Sequence, residues 1–176
     1  MPENIIKQLK KFRVDTTFEK KKHYNAADRK KKYHNILVIV QIAINAITGT
    51  TLLTAICGNS NKTAEIIALC LTITSTIFAG IQKAYKFDKQ SQGNTKMADM
   101  YLRLAKKINL FLSCIDDGMI SNDDIMKETN KIQEEICQTN ELSAQFSTNN
   151  VDYRKAKKGI ENGEENYTET EFHIGE

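Results

Sequence analysis

Two stretches without a single charged side chain constrain this chain more than anything else in it. Between Lys32 and Lys62 lie 29 residues free of Lys, Arg, Asp and Glu, and between Glu65 and Lys83 lie 17 more, Ile66 to Gln82. As helices, residues 35–57 and 66–82 extend roughly 35 Å and 26 Å at about 1.5 Å per residue, close to the ~30 Å hydrocarbon core of a bilayer. A soluble helix with one wet face carries charges every few residues, and neither stretch has any. A fully buried central pair would need a larger shell than the rest of a 176-residue chain provides. The first stretch is also too long, and preceded by too many polar residues, for a cleaved signal. The sequence therefore predicts an uncleaved membrane hairpin with spans at 35–57 and 64–82 and a short external loop at 58–63.

Bulk composition conceals this. A hydrophobic content of 40%, a mean hydropathy of −0.46 and a net charge of +3 describe a soluble chain. They are averages over segments of opposite character. Residues 1–34 carry eleven basic and four acidic side chains, residues 83–113 seven and two, and residues 114–176 six and fifteen. Basic residues beside membrane-spanning ends stay cytoplasmic. Both flanks are thus expected in the cytosol, in the plasma or inner membrane if the host is bacterial. Lys20-Lys-Lys22 and Arg29-Lys-Lys-Lys32 read as retention signals attracted to anionic lipid heads, and nucleic acid is not an expected partner.

The remaining segments read as helices, so the fold class is all-α. Residues 1–34 form a basic helix running into the first span. After the second span, Gly93-Asn94 is an expected break in the helical region 83–140. From there Met97, Tyr101, Leu104, Ile108, Phe111 and Ile115 recur at alternating steps of four and three, a coiled-coil-like seam. It is expected to bury against a partner cytosolic helix or against its copy in an oligomer. Asp116-Asp-Gly118 ends this helix. Ser121-Asn-Asp-Asp124 has the form of a capping box opening another, with Ile125, Thr129, Ile132 and Ile136 on one face. The acidic tail, 141–176, is expected to be disordered.

No catalytic, metal or cofactor site is expected. Cys57, Cys70, Cys114 and Cys137 have no metal-ligand spacing, His23, His34 and His173 are scattered, and no phosphate loop or nucleophile elbow occurs. The carboxylates at Asp116-Asp117 and Asp123-Asp124 are explained by helix ends. The chemistry lies in the spans. Gln41, Asn45 and Thr48 share one helical face. On the second span Ala68, Thr72, Thr76 and Gly80 form a ladder of small residues, beside a weakly polar face of Ser75, Ala79 and Gln82. Polar groups in lipid must meet protein or water, so these faces either pack in a hairpin or oligomer or line an aqueous pore.

A basic helix with Tyr24-Asn-Ala-Ala-Asp-Arg29-Lys-Lys-Lys-Tyr33 leads into the hairpin. The second span leaves through Phe78-Ala-Gly-Ile-Gln82 to a helix with Met97-Ala-Asp-Met-Tyr101-Leu-Arg-Leu. Over residues 18–115 this resembles the SLATT family, the SMODS- and SLOG-associating two-transmembrane effector domains. Tyr24, Ala27, Arg29, Tyr33, Ala98, Tyr101 and Leu104 match its motif positions and read as structural. The resemblance implies a membrane effector of conflict systems that forms pores or perturbs the bilayer when a cytosolic sensor or nucleotide-signalling partner is triggered. It brings no catalytic residue. The helix at 121–140 and the acidic tail go beyond a minimal version of the domain. The first hypothesis is accordingly a homo-oligomeric two-span effector; the alternative is a non-conducting scaffold, adaptor or viral membrane protein.

Overall fold

The computed structural model describes residues 3–57 and 62–166. The turn of the expected external loop, and the end of the acidic tail with His173, lie outside the described residues. Five helices follow in order: α1 Glu3–Cys57, α2 Lys62–Tyr85, α3 Phe87–Asp116, α4 Asn122–Ser143 and α5 Asn150–Glu161. Among the described residues there is no strand. The chain divides into two compact units, one of residues 1–27 with 92–176 and one of residues 28–91.

The first unit is built on the start of α1, most of α3, and α4 and α5. Leu9, Ile108, Leu112, Ile115, Ile125 and Ile132 form one buried cluster, with Ile5, Phe12, Phe111 and Ile136 packed on it. Met97, Tyr101 and Leu104 form a second, covered by Met100, Ile136 and Phe146. Of the two coverings expected for the α3 seam, it is helices of the same chain that fill it, which corrects its reading as an oligomer contact. Met97, Tyr101, Leu104, Ile108 and Ile115 are each at most 5% exposed within a single chain, and Phe111 is half-buried. The six-residue stripe is covered by α1, α4 and the turn after α4, each of which brings its own apolar face. Full burial of each such side chain is worth about 1.5–3 kcal/mol, which a second copy would have to match before displacing them.

Two further expectations are corrected. The helix is not interrupted at Gly93-Asn94; α3 runs through both. Gly93 is used for close approach, since a Cβ there would overlap the Phe146 ring. Asn94 is wholly buried, its Oδ1 2.8 Å from His23 Nδ1. The interruption falls instead at Lys86, the single residue between α2 and α3, with φ of 46°. Nor is the described part of the tail, 141–166, disordered throughout. Asn149 opens α5 with a complete capping box: its side chain accepts from the Val151 and Asp152 amides, and the Asp152 carboxylate accepts from the Asn149 amide at 2.9 Å. Asp152, Ala156 and Gly159 are buried. Composition hides this helix, because only a few of its residues need to be apolar to dock. The acidic residues that follow pair with the basic helix: Lys20 Nζ meets Glu165 Oε2, and Lys21 Nζ meets Glu164 Oε2, both at 2.5 Å.

Other boundaries fall where the residues indicate. Gly118, at φ of 69°, takes the left-handed position after α3. Ser121 caps α4, accepting from the Asp124 amide at 3.3 Å. Its hydroxyl also donates to the Asp124 carboxylate at 2.6 Å, in place of the backbone bond that would close the box. Lys107 ties α3 to α4 through Glu135 at 2.8 Å and Glu128 at 3.0 Å. Burial pulls the Lys107 ammonium down, but the bonds to both carboxylates outweigh it and raise it.

Tyr24 of α1 donates to Asp99 of α3 at 2.6 Å. Burial, then the Asp99 carboxylate, push the Tyr24 phenol from its ordinary 10.0 up to about 12. The folded value lies above the unfolded one, so this stabilisation is complete below pH 10 and is lost as pH rises from 10 towards 12. Tyr24→Phe is expected to flatten that limb of the stability curve, followed by circular dichroism; an unchanged limb would show that the contact contributes nothing.

Candidate functional site in the apolar hairpin

The second unit pairs the end of α1 with α2. Its most apolar windows have mean hydropathies of 2.0 and 1.9, and both helices are long and apolar enough to cross a membrane. Ile39, Ile42, Leu53, Ile66 and Leu69 are all more than 60% exposed, and Ile47, Ile73 and Ile77 more than half. In water such a surface would be a far larger apolar patch than a soluble monomer tolerates. Lipid is the solvent that removes the penalty.

Two pairs of polar side chains in the spans turn to each other. Ser75 donates to Asn45 Oδ1 at 2.6 Å, and Gln82 Nε2 donates to Gln41 Oε1 at 2.9 Å. Thr48 points its hydroxyl at the Ile44 carbonyl, 2.8 Å away on its own helix. The Gln41/Asn45 face therefore meets α2. The contact line on α2 is Ala68, Leu71, Ser75, Phe78 and Gln82, with Ala68 and Ser75 buried and the others half-buried. Its alternating three- and four-residue steps are those of two helices crossing at a shallow angle.

The small-residue ladder is thereby split. Ala68 lies in the contact, whereas Thr72, Thr76 and Gly80 face outward. Thr72 donates to the Ala68 carbonyl at 2.8 Å and Thr76 to the Thr72 carbonyl at 2.9 Å, so both hydroxyls are satisfied on their own helix. A Cβ at Gly80 would touch nothing within 4 Å. Spacing alone did not separate these two adjacent stripes, because both have helical periodicity; the amides of Gln41 and Asn45 decide between them by needing partners.

Where the helices leave the apolar region an aromatic and basic girdle follows. Tyr85 stacks on Phe87 with centroids 5.3 Å apart, Tyr33 meets Phe87 edge-on at 5.9 Å, and the Arg29 guanidinium lies 5.9 Å over the Tyr33 ring. Lys30, nearly buried, donates to Gln90 Oε1 at 3.1 Å. Aromatic rings and basic side chains at this position are the signature of a membrane–water interface. Of the motif residues, Arg29 and Tyr33 thus belong to this girdle. Tyr24, Ala27, Ala98, Tyr101 and Leu104 belong to the packed helical unit.

An apolar two-helix hairpin with internally paired polar groups, followed by such a girdle, defines a helical membrane protein with two candidate spans. The family model of the SMODS and SLOG-associating 2TM effector domain family 4 matches residues 5–171. The chain belongs to that family. The match takes in α4 and α5, so these helices are part of the family's domain and not additions to it. No curated protein and no solved structure matches the chain.

Proposed function

We propose that the protein acts without catalysis, as a conflict-system effector whose hairpins assemble to open an aqueous path or to perturb the bilayer. The observation that carries this reading is the pair of polar contacts, Asn45–Ser75 and Gln41–Gln82, inside an otherwise apolar hairpin. Amides and hydroxyls at membrane depth can exchange an intrachain partner for one on a neighbouring hairpin or for water at little net cost. The outward stripe of Thr72, Thr76 and Gly80 offers close approach to a second helix, which the internally filled α3 seam does not. Charge order favours both flanks in the cytosol, with the first unit exposed to a sensor or signalling partner.

The test is solute release from liposomes containing the purified protein. Asn45→Leu is expected to slow release roughly tenfold, the equivalent of about 1.4 kcal/mol. Intact, assembled protein that releases neither dye nor ions would sink the pore reading. The competing reading, a non-conducting scaffold, draws on the same bonds, since each amide is already satisfied within one chain. It predicts full activity for Asn45→Leu and loss on charge reversal along α3 and α4.

A further inference from the structure

At the girdle end of the hairpin, within the second unit, lies an open cavity of about 460 Å³. Gln41 and Gln82, bonded to each other, line it on the apolar side, and Lys83, Lys86, Lys89 and His34 surround it. Asp88 is the one carboxylate among its lining residues, so the lysines leave a net positive charge. Elsewhere Lys20, Lys21, Lys22 and Lys107 each meet a glutamate within 3.0 Å. Among the described residues, none of Lys83, Lys86 and Lys89 has a carboxylate within ion-pair distance.

The backbone adds a second, independent observation. Lys86 holds φ of 46°, a conformation that costs an unbranched L-residue free energy and that glycine or asparagine would adopt more readily. A lysine kept there, at the joint between α2 and α3, lines the cavity with Lys83 and Lys89. Strain of this kind collects where a side chain is needed for binding.

We propose that this cavity binds an anionic phosphate group, presented by a lipid headgroup at the membrane surface or by a soluble phosphate compound. The lysines supply charge, the glutamine pair supplies amide hydrogen-bonding capacity, and the neighbouring Phe87 and Tyr85 rings offer an apolar wall suited to acyl or glycerol carbons. The site depends on the membrane placement of the hairpin but not on conduction, so a failed leakage assay leaves it standing.

The experiment is a binding titration of the full chain in neutral detergent with dioctanoyl phosphatidylglycerol, dioctanoyl phosphatidylcholine and inorganic phosphate. Saturable phosphatidylglycerol binding is expected, well above phosphatidylcholine. Each basic residue near an anionic surface is worth about fivefold in affinity, so Lys83→Ala/Lys86→Ala/Lys89→Ala is expected to weaken binding roughly 100-fold. Lys7→Ala/Lys10→Ala/Lys11→Ala removes the same charge from the far end of α1 and is expected to change it less than about twofold. Lys86→Asn keeps the left-handed preference and guards against misfolding; it is expected to unfold at the same temperature or higher while binding about fivefold more weakly. Phosphate that binds alone and displaces the lipid identifies a soluble ligand; lipid binding that phosphate does not displace identifies a headgroup. Both support the site. Equal loss in the two triple variants, equal binding of phosphatidylcholine, or no saturable binding of either anion overturns it.

Discussion

Ile42→Asp is expected to drive the first span out of the bilayer, or to misplace it, at a cost of up to about 2.5–3.5 kcal/mol, the value for a carboxylate at a helix centre. Ile42 is 63% exposed on the apolar surface of the hairpin. The measurement is the fraction of protein that stays with membranes after alkaline carbonate extraction. Met126→Asp is the matched control. Met126 is 50% exposed near the start of α4, where an acidic side chain suits the helix dipole, and the substitution is expected to stay within about 0.5 kcal/mol of neutral. Two residues of similar exposure thus respond differently because they face different solvents. Should Ile42→Asp pellet and resist extraction like the unaltered chain, the lipid-facing assignment of that surface is wrong.

Tyr101→Ala is expected to cost the helical unit about 3–5 kcal/mol. The side chain is 1% exposed, stacks on His23 with centroids 5.6 Å apart, and donates to Asn140 Oδ1 at 2.7 Å. Tyr101→Phe removes only the hydroxyl and is expected to cost about 0.5–1.5 kcal/mol, towards the low end because exposed Asn140 can turn to water. Thermal unfolding followed by circular dichroism separates the two. A loss under about 1 kcal/mol for Tyr101→Ala would mean that the seam is not the centre of the unit and would reopen it as a surface for a second copy.

That seam shows where sequence reasoning reached and where it stopped. Alternating steps of four and three from Met97 to Ile115 announce that one face of α3 must be covered. Periodicity is a property of one helix, however, and carries no address for the covering partner. Leu9 and Phe12 lie about ninety residues away, and although Ile5, Leu9 and Phe12 repeat the same steps of four and three, nothing in that spacing matches them to α3. The α5 helix escaped for a related reason: in Asn150–Glu161 charge dominates the composition, while docking depends on Ala156 and Gly159 and on a cap. At Gly93 the local rule was right about glycine's lack of a side chain and wrong about its use. The same feature that permits a break also permits the Phe146 ring to lie against the helix. The actual interruption, at Lys86, has no local signal because lysine is a good helix former.

By itself the sequence determined the quantities that depend on composition within a segment. Two uncharged stretches of membrane-spanning length, a helical class, the stop at Gly118, the start at Ser121 and the ordering of charge all follow from local chemistry and from transfer into lipid. Tertiary structure alone decided the pairings. It set Ser75 against Asn45 and Gln82 against Gln41, turned Thr72 and Thr76 outward, filled the α3 seam from within the chain, and gathered Lys83, Lys86 and Lys89 around one cavity. The reason is physical: solvent transfer acts on each residue separately and can be read along the chain. A hydrogen bond or a packed contact belongs to two residues at once, and which two is settled only when the helices have docked.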